Sequence, residues 1–341
     1  MMTKQQTTKK QHVSWNVVFA IALFACLNLT AFAKKPELKF NSDGKFKIVQ
    51  FTDLHVRYQD PASSITFERI DQVVQDEKPD IIILTGDIIF GKPAVENLRT
   101  VLKAVAKQGV PFAILFGNHD DEFEVGREDL IKVSDEFANS LTSDEPNLFG
   151  VGNYILEIDG SFENKPAALL YCLDSNAYST IEGVKGYGFF HFDQINWYLK
   201  KSAEYTQQNG GQPLPALAFF HIPLPEYAEA ASSEEAQLYG IRREKSCPPL
   251  LNSGMFTAMR QAGDVMGTFV GHDHNNDYAV AWHGILLAYG RYTGGDTVYN
   301  DLPNGARVIE MTEGERGFRT WIRTAKGISQ ETFFPTDFIK K

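Results

Sequence analysis

Aspartate, asparagine and histidine side chains follow five short apolar stretches, at the points where the sequence predicts that buried strands end. The stretch "KFKIVQ" leads into "FTDLH", and "DIIILT", "PFAILF", "ALAFF" and "VMGTFV" lead into the other four groups. Carboxylate, imidazole and amide oxygen together suit Mn²⁺, Fe or Zn²⁺ rather than Ca²⁺ or thiolate-bound Zn²⁺. The polar residues at these five points are Asp53 and His55, then Asp87, then Asn118, His119 and Asp120, then His221, and last His272, Asp273 and His274.

The elements that would position these side chains alternate along the N-terminal half of the chain. The runs "FKIVQFT", "DIIILT" and "PFAILF" predict strands. Between them, "TFERIDQVVQDE" and "VENLRTVLKAVAKQ" carry apolar residues with the period of an amphipathic helix. This βαβαβ order predicts a parallel sheet covered by helices. Ligands bind beyond the carboxyl ends of strands in such sheets, so side chains that are distant in sequence can converge there.

Later apolar runs predict further strands. "GILLAYG", "ARVIEMT" and "FRTWIRT" lie close together in the sequence, so we expect them to pair in part as antiparallel neighbours. No repeat, low-complexity tract or proline-rich linker divides the chain after its N-terminal segment. One domain over residues 36–341 is therefore the simplest prediction, and division into two domains is the alternative for a chain of this length.

Each motif alone also has a structural interpretation. "GD" and "GNHD" are common turn sequences, and a single histidine after a strand, such as His221, is usually a hydrogen-bonded structural residue. His272 and His274 are a stronger signal because alternate side chains of an extended segment share one face. The joint pattern favours a metal site, since five of the eight histidines occupy strand ends. We interpret His191 and His283 as structural.

The first 33 residues have the three-part pattern of a secretory signal. Three lysines precede the apolar run "VVFAIALFAC", and "AFA" ending at Ala33 offers small residues for cleavage. A transmembrane anchor is disfavoured because the run is shorter than the roughly 20 residues that span a bilayer. We therefore predict a signal peptide over residues 1–33 and a secreted or periplasmic protein. Lipidation of Cys26 in "LFAC" is the alternative.

Composition excludes several classes of protein. With 43% hydrophobic and 22% charged residues the chain is globular rather than disordered. Its formal net charge of −10 would become −13 on cleavage, because the signal segment contains three lysines and no acid. Such an acidic surface repels phosphate backbones and speaks against general nucleic-acid binding. Only Cys172 and Cys247 would remain, too few for a disulfide scaffold, and the sequence leaves open whether they pair.

The five blocks resemble the signature of the calcineurin-like metallophosphoesterases, which reads D-x-H, G-D, G-N-H-D/E, a single His and G-H-x-H. Here the blocks are "DLH", "GD", "GNHD", "FFH" and "GHDH", in the same order over residues 53–274. "FFHIPLPEY", "NSGMFTAMR", "GHDHNNDY" and "AYGRYTGGD" resemble the branch related to purple acid phosphatases. The resemblance implies an α/β fold in which two mixed β-sheets pack as a sandwich flanked by helices.

The resemblance also implies a centre of two metal ions at one edge of this sandwich. The ions would be divalent or of mixed valence, with Mn, Fe or Zn left open. Asp87 would bridge them, and a metal-bridging hydroxide would attack the phosphorus. One ion would be held by Asp53, His55, Asp87 and His274, and the other by Asp87, Asn118, His221 and His272.

A catalytic role for His119 follows from the same resemblance. His119 would act as general acid or as a donor to a phosphoryl oxygen. Asp120 or Asp121 could orient it, and the sequence does not choose between them.

Two positions depart from the true purple acid phosphatases. In those proteins the first motif is D-x-G, and the second ends in a tyrosine that binds ferric iron and gives the colour. Here His55 stands in place of that glycine, and Phe90 stands in place of that tyrosine. Because phenylalanine has no oxygen ligand, we expect a complete but colourless site.

These features predict a secreted phosphoesterase with two metal ions, most simply a phosphatase acting on small phosphomonoesters. A phosphodiesterase or nucleotidase on the same metal core is the alternative, and a non-catalytic metal-binding surface protein is the third interpretation. Arg291 and Tyr292 could contact substrate or lie in a solvated loop. We expect residues 225–251 to overhang the site.

Overall fold

The computed structural model describes residues 1–3 and 35–339. Residues 4–34 and 340–341 lie outside this description, and with them lie Cys26 and nearly all of the predicted signal peptide. The described residues 35–339 form one compact unit. Within the described residues, no helix is both long enough and apolar enough to cross a membrane.

Strands and helices alternate along the described chain. The strands are β1 (Leu38–Lys39), β2 (Lys45–Phe51), β3 (Ile81–Thr85), β4 (Phe112–Leu115), β5 (Tyr154–Asp159), β6 (Pro166–Cys172), β7 (Ala216–Phe219), β8 (Leu238–Tyr239), β9 (Val265–Val270), β10 (Ala279–Trp282), β11 (Ile285–Tyr289), β12 (Gly305–Thr312), β13 (Phe318–Thr324) and β14 (Gly327–Phe334). The α-helices are α1 (Ser64–Glu77), α2 (Ala94–Ala106), α3 (Arg127–Val133), α4 (Phe192–Gln208), α5 (Pro225–Ser232) and α6 (Met255–Ala262).

The N-terminal βαβαβ unit forms half of a six-stranded mixed sheet. Strands β2, β3 and β4 are parallel neighbours, and α1 and α2 connect them as the apolar periodicity predicts. Antiparallel strands complete the sheet in the order β14-β13-β12-β2-β3-β4.

The second sheet has eight strands in the order β1-β5-β6-β7-β9-β11-β10-β8. Its centre, from β6 to β11, is parallel. The expected antiparallel series is only partly correct: β12 and β13 pair, but β11 belongs to the other sheet. The chain leaves β11 across the shared edge, where Tyr292 pairs with Thr52, and then enters the six-stranded sheet as β12.

Packing of alternate strand faces gives four layers. Ile81 and Ile83 of β3 face the core between the sheets, where they join residues of the second sheet such as Phe219. Ile82 and Leu84 face the opposite way and pack with α1 and α2. Burying such a side chain contributes about 1.5–3 kcal/mol. A third cluster packs α4, α5 and α6 on the eight-stranded sheet, so the predicted sandwich flanked by helices is confirmed.

The two cysteines of this unit are both free. Cys172 is buried in the core between the sheets and Cys247 is exposed. Cys172 therefore acts as a small apolar side chain of the core, and the question that the sequence left open is answered: the two cysteines do not pair.

Candidate metal centre

The five strand ends meet at one edge of the sandwich. Strands β2, β3 and β4 of the six-stranded sheet and strands β7 and β9 of the eight-stranded sheet all end there. The seven side chains that the resemblance implies as ligands are each at most 8% exposed. Burial of so many ionisable groups at one place is typical of a functional site.

The side chains form two groups that share Asp87. The donor atoms within each group lie within 4.8 Å of one another. His55 Nε2 is 3.0 Å from His274 Nε2, and Asp87 Oδ2 lies 3.5 Å from His55 Nε2 and 3.2 Å from His221 Nε2. One group is Asp53, His55, Asp87 and His274, and the other contains Asp87, His221 and His272. These are the groups that the resemblance implies, and metal binding by them remains a prediction.

Asn118 offers a further candidate donor atom, because its side-chain oxygen is buried and has no hydrogen-bond partner. Its Nδ2 donates to the hydroxyl of Tyr178 at 3.3 Å, whereas Oδ1 is buried without a hydrogen-bond partner. His221 Nε2 also lacks one. A buried acceptor without a partner costs about 1–3 kcal/mol, and a bound cation would satisfy both atoms. The set of carboxylates, imidazoles and one amide oxygen therefore fits two metal ions.

Contacts outside the two groups orient the imidazoles. His221 Nδ1 donates to the carbonyl of Thr85 at 2.8 Å, and His274 Nδ1 donates to the carbonyl of Tyr299 at 2.8 Å. Each bond leaves Nε2 as the metal-binding atom, the usual arrangement for histidine ligands. Burial lowers the pKa of His55 and of His272 well below the ordinary value. Both rings are therefore neutral, the form that binds a metal ion.

Asp87 keeps its charge in this buried place. Burial alone would raise the pKa of its carboxyl, but the interactions of Asp87 with its neighbours, that with His221 first, outweigh burial and hold that pKa well below the ordinary value. Oδ1 also accepts a hydrogen bond from the backbone N–H of His119 at 2.9 Å. A charged carboxylate with two fixed oxygens can bridge two cations.

Backbone strain is concentrated at the same residues. Asp53, His55, Asp87 and His272 have φ angles of 54°, 43°, 49° and 80°, in the left-handed region that costs non-glycine residues of order 1–3 kcal/mol. Gly117 serves the geometry in another way, because a Cβ atom there would overlap the carboxylate and backbone nitrogen of Asp87. The sequence carries no direct sign of this strain beyond the preference of Asp and His for such angles.

Glu122, which the sequence reasoning missed, orients His119. Its Oε2 lies 2.8 Å from His119 Nδ1, and its Oε1 accepts the Tyr178 hydroxyl at 2.7 Å. The expectation that Asp120 or Asp121 orients His119 is therefore wrong, because Asp120 is bonded to backbone and Asp121 pairs with Arg127. The three-residue spacing of His119 and Glu122 is the one signal that could have suggested the contact.

Asp120 instead fastens two ligand loops together. Its Oδ1 accepts the backbone N–H groups of Ile88 and Ile89 at 2.8 and 3.0 Å, and its Oδ2 accepts that of Gly117 at 2.7 Å. Burial, followed by the charge of Asp87, raises its pKa to about 7.

We expect Asp120→Ala to lower the free energy of unfolding by about 3 kcal/mol, since three buried N–H groups lose their acceptor. Urea unfolding of metal-free protein measures this. Asp120→Asn should lose roughly half as much, because its amide oxygen still accepts while its NH₂ group faces the N–H of Gly117. The neighbouring Asp121→Ala is the control, and an equal loss in that variant would contradict the assignment.

The glycine-rich segment after β11 supports the centre without reaching into it. Arg291 is buried in an ion pair with Asp277 and donates to the carbonyl of Pro303 at 3.0 Å. Tyr292 is buried with its ring centroid 5.0 Å from that of His274, and its hydroxyl donates to the carbonyl of Gly295. Both side chains are thus engaged within the protein.

Residues 225–251 pack against the loop that carries His272 and His274. Glu244 Oε1 accepts the N–H of Asn275 at 2.6 Å, and the N–H of Cys247 donates to Asp273 Oδ2 at 3.1 Å. This segment therefore supports a ligand loop from outside.

Phe90 packs edge-on against two histidines of the centre. Its ring centroid lies 5.5 Å from that of His55 and 5.2 Å from that of His119.

We expect iron-loaded protein to lack a visible tyrosinate-to-iron absorption band, because the side chain of Phe90 has no oxygen. An absorption spectrum tests this, and Phe90→Tyr, which restores a phenol, is the variant expected to gain the band. A strong band in the unmodified protein would contradict the expectation.

Comparison with known proteins places these features in context. A family model described as calcineurin-like phosphoesterase matches residues 46–276. The chain is 31% identical to the Arabidopsis thaliana protein named "Probable inactive purple acid phosphatase 14", covering 83% of this chain and 80% of that protein. It is 33% identical to "Phosphatase DCR2" of Saccharomyces cerevisiae, covering 87% of this chain and 56% of that protein. A dimetal phosphatase from Danio rerio shares the fold, with a TM-score of 0.54 and 14% identity over 84% of this chain and 98% of that chain.

Proposed function

The chain belongs to the calcineurin-like phosphoesterase family, and from that premise we propose that it is a phosphatase that hydrolyses small phosphate monoesters with two metal ions. The observation that carries the proposal is the pair of buried donor groups that share Asp87. The unpaired Oδ1 of Asn118 adds a further donor to the second group.

The protein's own residues would then divide the work. Metal ions held by the two groups would supply Lewis acidity and lower the pKa of a water molecule. Glu122 engages His119 Nδ1, which leaves Nε2 as the ring atom that can give a proton to the leaving oxygen. Such proton transfer contributes about 10²- to 10⁴-fold to the rate. The His119 side chain is 31% exposed, so a substrate can reach it.

The site itself favours catalysis, whereas the names of the relatives point in two directions. One relative is named an inactive purple acid phosphatase and another a phosphatase. Here the proposed ligands and His119 are all present and gathered at one edge of the sandwich. That arrangement favours an enzyme over a non-catalytic metal-binding protein.

Metal analysis of the purified protein, coupled to a panel of phosphate monoesters, diesters and nucleotides, tests the proposal. Two metal ions per chain with preferred hydrolysis of monoesters would support it. Preferred hydrolysis of diesters would replace it with a phosphodiesterase. Stoichiometric metal without turnover of any ester would refute an enzymatic function.

We also propose that the protein acts outside the cytoplasm, after removal of residues 1–33. The lysines, apolar run and small residues of that segment support this localisation. Intact-mass measurement of the mature protein tests it: a chain that begins at Lys34 is expected, a lipid-modified Cys26 would replace cleavage by anchoring, and an unprocessed chain would refute both.

A further inference from the structure

Tyr178 combines an exposed ring with a fixed hydroxyl group. The residue is 45% exposed, although its hydroxyl donates to Glu122 and accepts from Asn118. Tyr187 stacks on it with ring centroids 5.8 Å apart and 23° between the planes. A ring that is already held in place loses little conformational entropy when a ligand stacks on it.

The backbone places these two rings beside the second group of ligands. Tyr178 and Tyr187 face each other as an isolated antiparallel pair, flanked by hydrogen bonds from Ser179 N–H to the carbonyl of Gly186 and from Gly188 N–H to the carbonyl of Ala177. The Tyr187 ring meets His272 edge-on with centroids 4.3 Å apart. The rings of Tyr178 and Tyr187 therefore form an aromatic wall at the rim of the candidate metal centre.

Glu122 couples this wall to the proposed general acid. One carboxylate oxygen accepts the Tyr178 hydroxyl, and the other contacts His119. Glu122 thus fixes the position of His119, the proposed proton donor, relative to the ring of Tyr178. Because the acid must lie beside the leaving oxygen, the leaving group has to lie on the same side as Tyr178.

A cleft of about 470 Å³ continues from Tyr178 along the protein surface. Asp121, Phe149 and Thr180 are among its lining residues, and its volume is within the range of small-molecule sites. Among the described residues that line it, Arg127 is the one cation, and its guanidinium is engaged by Asp174, Asp121 and the carbonyl of Gly117. The cleft therefore suits an uncharged group better than further phosphates.

Resting on the proposed phosphatase function, we infer that Tyr178 is the stacking platform for an aromatic ring in the leaving group of the substrate. The phosphate lies at the metal centre, the ring lies on Tyr178, and the remainder of the leaving group enters the cleft. The substrate class is therefore phosphate monoesters of nucleosides or of other alcohols with an aryl ring, in preference to those of short aliphatic polyols.

A matched pair of substrates tests the inference without a change of leaving oxygen. Adenosine 5′-monophosphate and ribose 5-phosphate release the same kind of primary alcohol, and only the first carries a base. We expect kcat/KM to be at least about tenfold higher for the nucleotide, the ratio that one stacked base supplies. Equal values for the two substrates would overturn the inference. 2-Phenylethyl and 2-cyclohexylethyl phosphate form a second pair, and a preference for the phenyl member extends the class from nucleosides to simple aryl alcohols.

Two variants separate the ring of Tyr178 from its hydroxyl group. Tyr178→Phe keeps the ring but removes the hydroxyl that contacts Glu122 and Asn118. Turnover should therefore fall equally for both members of a pair, while the ratio of their kcat/KM values is retained. Tyr178→Leu removes the ring, and the ratio should fall to about one. Tyr299→Leu is the matched control, because Tyr299 is also exposed but stacks on His274 in the other group. This variant should keep the ratio of the two substrates. A ratio that survives Tyr178→Leu would overturn the assignment.

Binding measurements keep this test apart from the test of the phosphatase function. If no ester is hydrolysed, the proposed function fails, and calorimetric titration of Mn²⁺-loaded protein with the nucleotide and with ribose 5-phosphate still tests the platform. At least about tenfold tighter binding of the nucleotide is expected. Equal Kd values would overturn the inference.

Discussion

Asp87→Asn is expected to abolish the loading of two metal ions and to lower phosphoesterase turnover by about 10³-fold, the upper end of the range for loss of a preorganised electrostatic group. Asp87 is the one residue that both ligand groups share. The amide keeps the shape of the side chain but removes its charge and replaces one oxygen with an NH₂ group. Neighbouring cations would then repel each other with less compensation.

Elemental analysis after dialysis and steady-state kinetics measure the two effects of this substitution separately. Asp71→Asn is the matched control, since Asp71 lies on the surface and pairs with Lys107 and Gln108. That variant should keep both metals and full turnover. If Asp87→Asn retained two metals and wild-type turnover, Asp87 would not be the bridging ligand.

His119→Asn should lower kcat by about 10²- to 10⁴-fold and leave the metal content unchanged. Its imidazole belongs to neither ligand group, and its ring nitrogen Nδ1 is engaged by Glu122. The loss should be larger for alkyl phosphates than for p-nitrophenyl phosphate, because nitrophenolate departs without needing a proton. The dependence of kcat on leaving-group pKa measures this difference.

Glu122→Gln tests the same proton donor with a smaller change. It retains a side chain of the same size beside His119 and Tyr178 but removes the charge, so we expect a smaller loss of about tenfold, with the same dependence on the leaving group. A loss of equal size for all leaving groups in both variants would contradict the role of His119 as the proton donor.

The pattern of strand ends predicted that the side chains at these ends converge, because the constraint that brings them together is local. A parallel strand places its carboxyl end at one edge of the sheet, so a ligand directly after an apolar run needs no knowledge of distant contacts. Asp53 after β2 and His221 after β7 are such cases. The motif order then indicated the family, and with it the two-sheet sandwich.

Contacts between loops could not be predicted in the same way. Glu122 and Tyr178 are 56 residues apart and meet only through the folded positions of their loops. Likewise, the strands β11 and β12 follow each other in sequence but lie in different sheets, which no pattern of apolar residues specifies. The sequence could not show whether Arg291 contacts substrate, because nothing in it indicates that the side chain turns inward to pair with Asp277.

The two candidate ligand groups take side chains from both sheets, so metal ions bound there would link the two sheets of the sandwich. Asp87 follows β3 of one sheet, whereas His221 follows β7 of the other. Their approach to 3.2 Å therefore depends on how one sheet sits on the other. Two residues before His221, Phe219 lies in the core between the sheets, in the same cluster as Ile81 and Ile83 of β3. A substitution in this core that shifts one sheet relative to the other would therefore also separate the candidate ligands, and we expect it to weaken the binding of metal ions at this edge.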